Sequence, residues 1–185
     1  MKCGIIVITK GRRNMTIRKK GYKIIVMVFV LLACTMLVAF KSQETNTKYI
    51  RTNYVSGTHG KTYVIESLEE LEEYYNANKE KHNLGHMEKV YSDTTIGFAD
   101  ATKEYDEEFF KEHNIVLVLL TASSGSIRYK VANINLNDGV MEINITKKIP
   151  EIGTCDMAGW HIIIETDKQE IEEIKVMVDD KEITK

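Results

Sequence analysis

Ile115-Val116-Leu117-Val118-Leu119-Leu120 is an unbroken apolar run in an otherwise strongly charged chain, and its reading decides the fold. Apolar residues without alternation, rich in β-branched types and too short for a buried helix, predict a strand covered on both faces. Such a strand stands inside a sheet with something packed on each side. Downstream the pattern changes to alternation: Ile127, Tyr129 and Val131, then Ile134 and Leu136 on the opposite parity. Side chains of a strand reverse faces at every residue, so one extra residue near Ala132-Asn133, a bulge, would restore the pattern. Asp138-Gly139 suits a tight hairpin turn with positive φ, and Met141, Ile143 and Ile145 return along the partner strand. Trp160, Ile162 and Ile164 alternate again, as do Ile174, Val176 and Val178.

Upstream of the run, Tyr49–Val55 and Thr62–Ile65 have strand composition. Between them the segment 56–62 holds Gly-Lys-Thr, the tail of a phosphate-binding loop. Val55 stands where that motif needs glycine, and a strand follows where it needs a helix, so the segment reads as a turn. Ser67-Leu68-Glu69-Glu70 is a capping box opening a helix that ends near Lys81, with Leu68, Leu71 and Tyr75 on its inner face. His82 and His86 are four apart, but Asn83 and Gly85 break the helix between them, and they read as solvated loop histidines. Asp106 caps a short helix, Glu107 to His113, with Phe109 and Phe110 turned to the core. The fold class expected is α+β: one or two helices on a strongly bent, mainly antiparallel sheet or small barrel.

The charge distribution divides the chain. Of 25 Lys/Arg and 27 Asp/Glu, nine basic residues and no acidic ones fall in residues 1–41, leaving 16 basic against 27 acidic beyond. An acidic domain of this kind argues against nucleic acid, whose phosphates need basic partners. Ile24–Phe40 is 17 residues long and uncharged, about 25 Å as a helix. Arg18, Lys19, Lys20 and Lys23 precede it, which holds that side in the cytoplasm and sends the rest of the chain out. The expected organisation is a basic cytoplasmic segment 1–23, a transmembrane signal anchor 24–40, a linker 41–48 and an extracytoplasmic domain 49–185 in a bacterial cell membrane. Leu31-Leu32-Ala33-Cys34 resembles a lipobox, making a lipoprotein the alternative. Met15 opens an ordinary signal-like n-region, so residues 1–14 read as translated leader. Asn144-Ile145-Thr146 matches a glycosylation acceptor in the middle of a strand and reads as chance.

Two segments between strands carry the candidate contacts: the turn Ser123-Ser124-Gly125-Ser126, and the loop from Glu151 and Ile152 through Cys155, Asp156 and Met157 to Trp160. Met157, Ile152 and Trp160 could anchor a partner, against a plainer reading in which Trp160 fills the core. Cys155 raises the question of nucleophilic catalysis. Gly153-Thr154-Cys155-Asp156 behind a membrane anchor looks like the cysteine motif of sortase transpeptidases. A sortase also needs an arginine on the following strand, and no arginine follows Arg128. Cys155, Asp156 and His161 make three metal-ligand types without a fourth. No cofactor, metal or catalytic residue is assigned.

From Tyr105 to Val178 the chain resembles the C-terminal domain of PrcB-like protease-complex subunits. The matching features are Glu104-Tyr105-Asp106-Glu107-Glu108-Phe109-Phe110, the apolar strand, the Ser-Ser-Gly-Ser turn, the hairpin, and the loop led by Pro150. The resemblance implies a β-rich extracytoplasmic module without catalytic residues, a partner or stabiliser of a surface protease. The expected function is a non-catalytic interaction module with an envelope protein as partner. The alternative is a Cys155-dependent, sortase-like enzyme.

Overall fold

The computed structural model describes residues 46–85 and 96–184. The proposed membrane span, the lipobox cysteine Cys34, the leader 1–14 and His86 lie outside the described residues. Among the described residues no helix is long and apolar enough to cross a membrane.

The chain builds an α+β domain with eight strands and three helices among the described residues. In order these are β1 (Thr47–Thr52), β2 (Lys61–Ile65), α1 (Leu68–His82), α2 (Phe98–Thr102), α3 (Phe109–Glu112), β3 (His113–Ala122), β4 (Arg128–Asn137), β5 (Val140–Lys148), β6 (Ala158–Asp167), β7 (Glu173–Val178) and β8 (Lys181–Glu182). The strands form two four-stranded sheets, ordered β1-β6-β3-β2 and β4-β5-β7-β8. The apolar run lies in β3, which pairs with β6 over its whole length and with β2 on its other edge. It is the inner strand its composition predicts.

Parity assigns each side chain of β3 and β6 to a layer. Val116, Val118, Leu120, Trp160, Ile162 and Ile164 face the second sheet, where Tyr129, Met141, Ile143, Ile145 and Val176 meet them. Ile115, Leu117, Leu119 and Ile163 face the other way, under Leu71 and Tyr74 of α1, Phe98 and Ala101 of α2, and Phe110 of α3. Three layers result: helices, the β3/β6 sheet, and the β4/β5 sheet. The outer face of the β4/β5 sheet is polar, with Lys130, Asn133, Asn135, Glu142, Thr146 and Lys148 exposed.

Local signals behave as their chemistry requires. The β4/β5 register shifts between Val131 and Asn133, so the bulge sits at the expected place. Asp138 and Gly139 turn the hairpin at φ 49° and 78°. The Ser67 hydroxyl accepts from Glu70 N at 3.2 Å, while the Glu70 carboxylate reaches back to Glu66 N at 2.8 Å, one residue before the cap. Asp106 Oδ1 accepts from Phe109 N at 2.9 Å and opens α3, shorter than the span expected.

One pairing is specified and one expectation is corrected. Within the mainly antiparallel arrangement expected, β7 runs parallel to β5. Strand β6 belongs to the other sheet, so the chain comes back to the β4/β5 sheet running in the same direction as β5; alternation carries no information about direction. His82 is not a solvated loop residue. It closes the last turn of α1 and is buried, because Asn83 adopts the left-handed conformation after it and turns the buried Leu84 back onto the core.

The turn between β1 and β2 offers a matched pair of glycines. Gly57 and Gly60 both have φ 80°, but a Cβ at Gly57 would meet nothing within 4 Å, whereas one at Gly60 would lie 2.1 Å from the Ile183 carbonyl oxygen. Gly57→Ala should therefore lower stability by about 1 kcal/mol, the cost of a side chain at positive φ. Gly60→Ala should cost clearly more, because backbone of the second sheet would have to move. Equal melting temperatures for the two variants would contradict this packing.

Candidate functional site

The two segments singled out in the sequence meet at one end of the sandwich. The Ser123–Ser126 turn follows β3, and the 149–157 loop precedes β6, so pairing of Ala122 with Ala158 brings them side by side. The Ser124 hydroxyl accepts from Thr154 N at 2.9 Å and lies 2.8 Å from the Ser126 hydroxyl and 3.2 Å from that of Thr154. Gly125 N donates to the Asp156 carbonyl at 2.8 Å. Loop and turn are thus held by both backbone and hydroxyl groups.

Two arginines complete the arrangement. Arg51, from β1, donates to the Gly125 carbonyl at 3.0 Å and pairs with the Asp156 carboxylate. Arg128, from the start of β4, donates to the same carbonyl at 2.8 Å and to that of Ile127 at 3.1 Å, with its guanidinium 5.4 Å from the centre of the Trp160 ring. A Cβ at Gly125 would lie 2.2 Å from the Arg51 guanidinium and 2.3 Å from the Asp156 carboxylate, so only glycine lets that pair pass. The Thr154 hydroxyl, joined by Arg51, holds the Asp156 carboxyl below the ordinary carboxylate range. Sequence reasoning did not select Arg51 or Arg128. No local signal could have found Arg51, which lies 105 residues from its partner.

Exposure separates the predicted residues. Ser123, Glu151, Ile152, Cys155, Asp156 and Met157 are exposed, Ser124 and Ser126 are half-buried, and Gly125 is buried. Ile152 is 88% exposed, Ile149 67% and Met157 56%, high values for apolar side chains on a loop held this firmly. Trp160 is buried at 1% exposure between the sheets and gives no surface anchor. As the first inward-facing large residue of β6, it fills the core instead.

Neither His161 nor His113 is placed to serve Cys155 as a base. His161 points to the opposite face of its sheet from Trp160 and is buried under α1. Its Nε2 lies 2.7 Å from the Tyr74 hydroxyl and its Nδ1 3.1 Å from that of Thr52, so both ring nitrogens are engaged. His113 begins β3, and the turn beside Cys155 follows its end, roughly 30 Å away along a ten-residue strand. The Cys155, Asp156 and His161 donors likewise do not converge, since His161 faces the helices.

The sequence also gave no warning of a buried polar cluster around His161. Its ring packs edge-on against His82 at 4.9 Å and against Phe98 at 5.8 Å. Burial pushes His161 down to about 3, helped by the nearby His82. Burial first, then the charges of Lys81 and Lys61, lowers His82 as well, and its Nδ1 is buried without a hydrogen-bond partner. Burial raises the Tyr74 hydroxyl beyond its ordinary range. Every member stays neutral, which suits a structural clamp between α1 and the sheet.

No family model matches the chain, and no match is found among curated proteins or solved structures.

The His161 clamp makes stability depend on pH with a definite sign. The unfolded chain takes up a proton on this residue near 6.5, and the folded chain does so only near 3. Its contribution is fully present above pH ~6.5 and is lost as pH falls toward 3, at about 1.4 kcal/mol per unit. Denaturant midpoints measured between pH ~6.5 and ~5 should fall accordingly, before most carboxylates titrate. In His161→Leu that slope should shrink by about one proton's worth, leaving the part due to His82.

Proposed function

We propose that the chain is a membrane-anchored, extracytoplasmic interaction module whose contact surface is the 149–157 loop braced on the Ser123–Ser126 turn. Ile24–Phe40 anchors it as a single span, with lipidation of Cys34 as the other way to hold it at the membrane. One observation carries the reading: Ile149, Ile152 and Met157 project into solvent from a loop fixed by Ser124, Thr154, Asp156 and Arg51. A fixed loop loses little conformational entropy on binding, so its exposed apolar side chains are well suited to contact. Nothing in the core requires them outside.

The partner class implied by the PrcB-like resemblance is a surface protease or another envelope protein, which the module would assist or restrain. A Cys155-dependent activity is the weaker reading. Its thiol is exposed, but its neighbours in the loop are the hydroxyl of Thr154 and the carboxylate of Asp156, with no histidine base.

Affinity isolation of the full-length protein from its native membrane should recover a stoichiometric envelope protein. Ile152→Ser combined with Met157→Ser should abolish that recovery while changing stability by less than ~1 kcal/mol, as surface substitutions do. Recovery of no envelope protein with the wild type, or undiminished recovery with the double variant, would overturn the reading. Full cell-surface function after Cys155→Ala would count against the enzymatic alternative.

A further inference from the structure

Arg128 holds an unusual position. Among the described residues no carboxylate pairs with it; it donates to two backbone carbonyls and lies against the Trp160 ring. It shares the Gly125 carbonyl with a second guanidinium, Arg51. Directly across the strands its register partner is another cation, Lys148. Like charges placed opposite in a sheet destabilise it. Burial, followed by the charge of Arg51, disfavours the charged form of Arg128. Asp156 is the carboxylate at this spot and is bound to Arg51. The next carboxylate along the sheet, Asp179, accepts from the Lys147 amide at 3.0 Å, one residue from Lys148, in a stretch, 42–185, that carries 27 acidic residues against 16 basic ones. The domain has acids to spare and places none opposite Arg128.

Continuing from Lys148, the chain enters the loop that exposes Ile149, Ile152 and Met157. A guanidinium offers a planar fork of donors matched to a carboxylate, and the exposed isoleucines and methionine of the loop that follows Lys148 ask for apolar contact. We infer that this end of the sandwich recognises an acidic segment of a partner protein, a carboxylate docking on Arg128 and Lys148 while adjacent apolar side chains cover Ile152 and Met157. This rests on the interaction-module reading and specifies its partner's chemistry. A phosphate polymer would satisfy the cations and leave the apolar side chains wet.

The sole tryptophan of the chain, Trp160, lies under Arg128 and supplies an intrinsic reporter. The detergent-solubilised full chain is titrated with an end-capped peptide of alternating leucine and glutamate, with the leucine–glutamine counterpart, with polyphosphate, and with phosphatidylglycerol vesicles. Saturable change of Trp160 emission is expected with the glutamate peptide and not with the glutamine one. Arg128→Gln, titrated by anisotropy of labelled peptide, should weaken binding about tenfold, as loss of a charge-assisted contact does. Lys148→Gln should weaken it a few-fold, and Lys111→Gln, on the exposed surface of α3, should leave it unchanged. Should Arg128→Gln fail to fold, the exposed Lys148 carries the test alone. Equal binding of the two peptides, binding of polyphosphate or vesicles in place of peptide, unaltered affinity in the variants, or no binding at all would each overturn the inference. A membrane partner still recovered by Arg128→Gln and Lys148→Gln would overturn it while leaving the interaction-module reading intact.

Discussion

Pairing of β3 with β6 is the constraint on which the rest of the domain depends. Both are ten residues long and buried on both faces over most of their length, so neither can turn a face to water. Backbone groups in such a place must be satisfied by neighbouring strands, which β1 and β2 supply at the two flanks. The two apolar faces then need two covers. One is the β4/β5 sheet and the other is the helical layer, and that division fixes the three-layer order of the domain.

The edges of the two sheets are tied as well. Tyr49 of β1 accepts from the Val131 amide beside the bulge of β4, so an exposed edge of one sheet is satisfied by a side chain of the other. On the opposite side Gly60, just before β2, lies against the Ile183 carbonyl just after β8. The bulge thus restores the inward parity of Ile134 and Leu136 and also leaves an amide that another strand's tyrosine can cap. Edges managed this way resist pairing with foreign strands, which directs attention from the sheet edges to the loops as contact surfaces.

The two polar clusters of the domain differ in kind. Around His161 every group is buried and neutral, and the hydrogen bonds to Tyr74 and Thr52 hold α1 and β1 to the sheet. Around Gly125 the groups are charged or hydroxylic and partly wet, with Arg51 and Asp156 stitching β1 to the loop. The first arrangement leaves neither ring nitrogen of His161 for chemistry. The second displays exposed side chains on a firm base.

The residues by themselves determined the inner strand and most of the elements, though not α2 or the two-residue β8. The apolar run 115–120, the capping Ser67 and Asp106, the Asp138-Gly139 turn and the parity break at Ala132-Asn133 act within a few positions of themselves, so local chemistry suffices to read them. The turn and loop that form the candidate site were visible too, as small and polar residues between strands. What only the tertiary structure decided was long-range: that strands divide into two sheets, that β7 runs parallel to β5, that His82 is buried, and that Trp160 is core. Above all it decided that the turn and the loop are one place, joined through Arg51, a residue from the far end of the domain's sequence. Hydrophobic periodicity records which side chains turn inward but not which strand lies beside which. The partners of Arg51, Arg128 and His161 are set by that adjacency, and adjacency exists only once the two sheets have closed on each other.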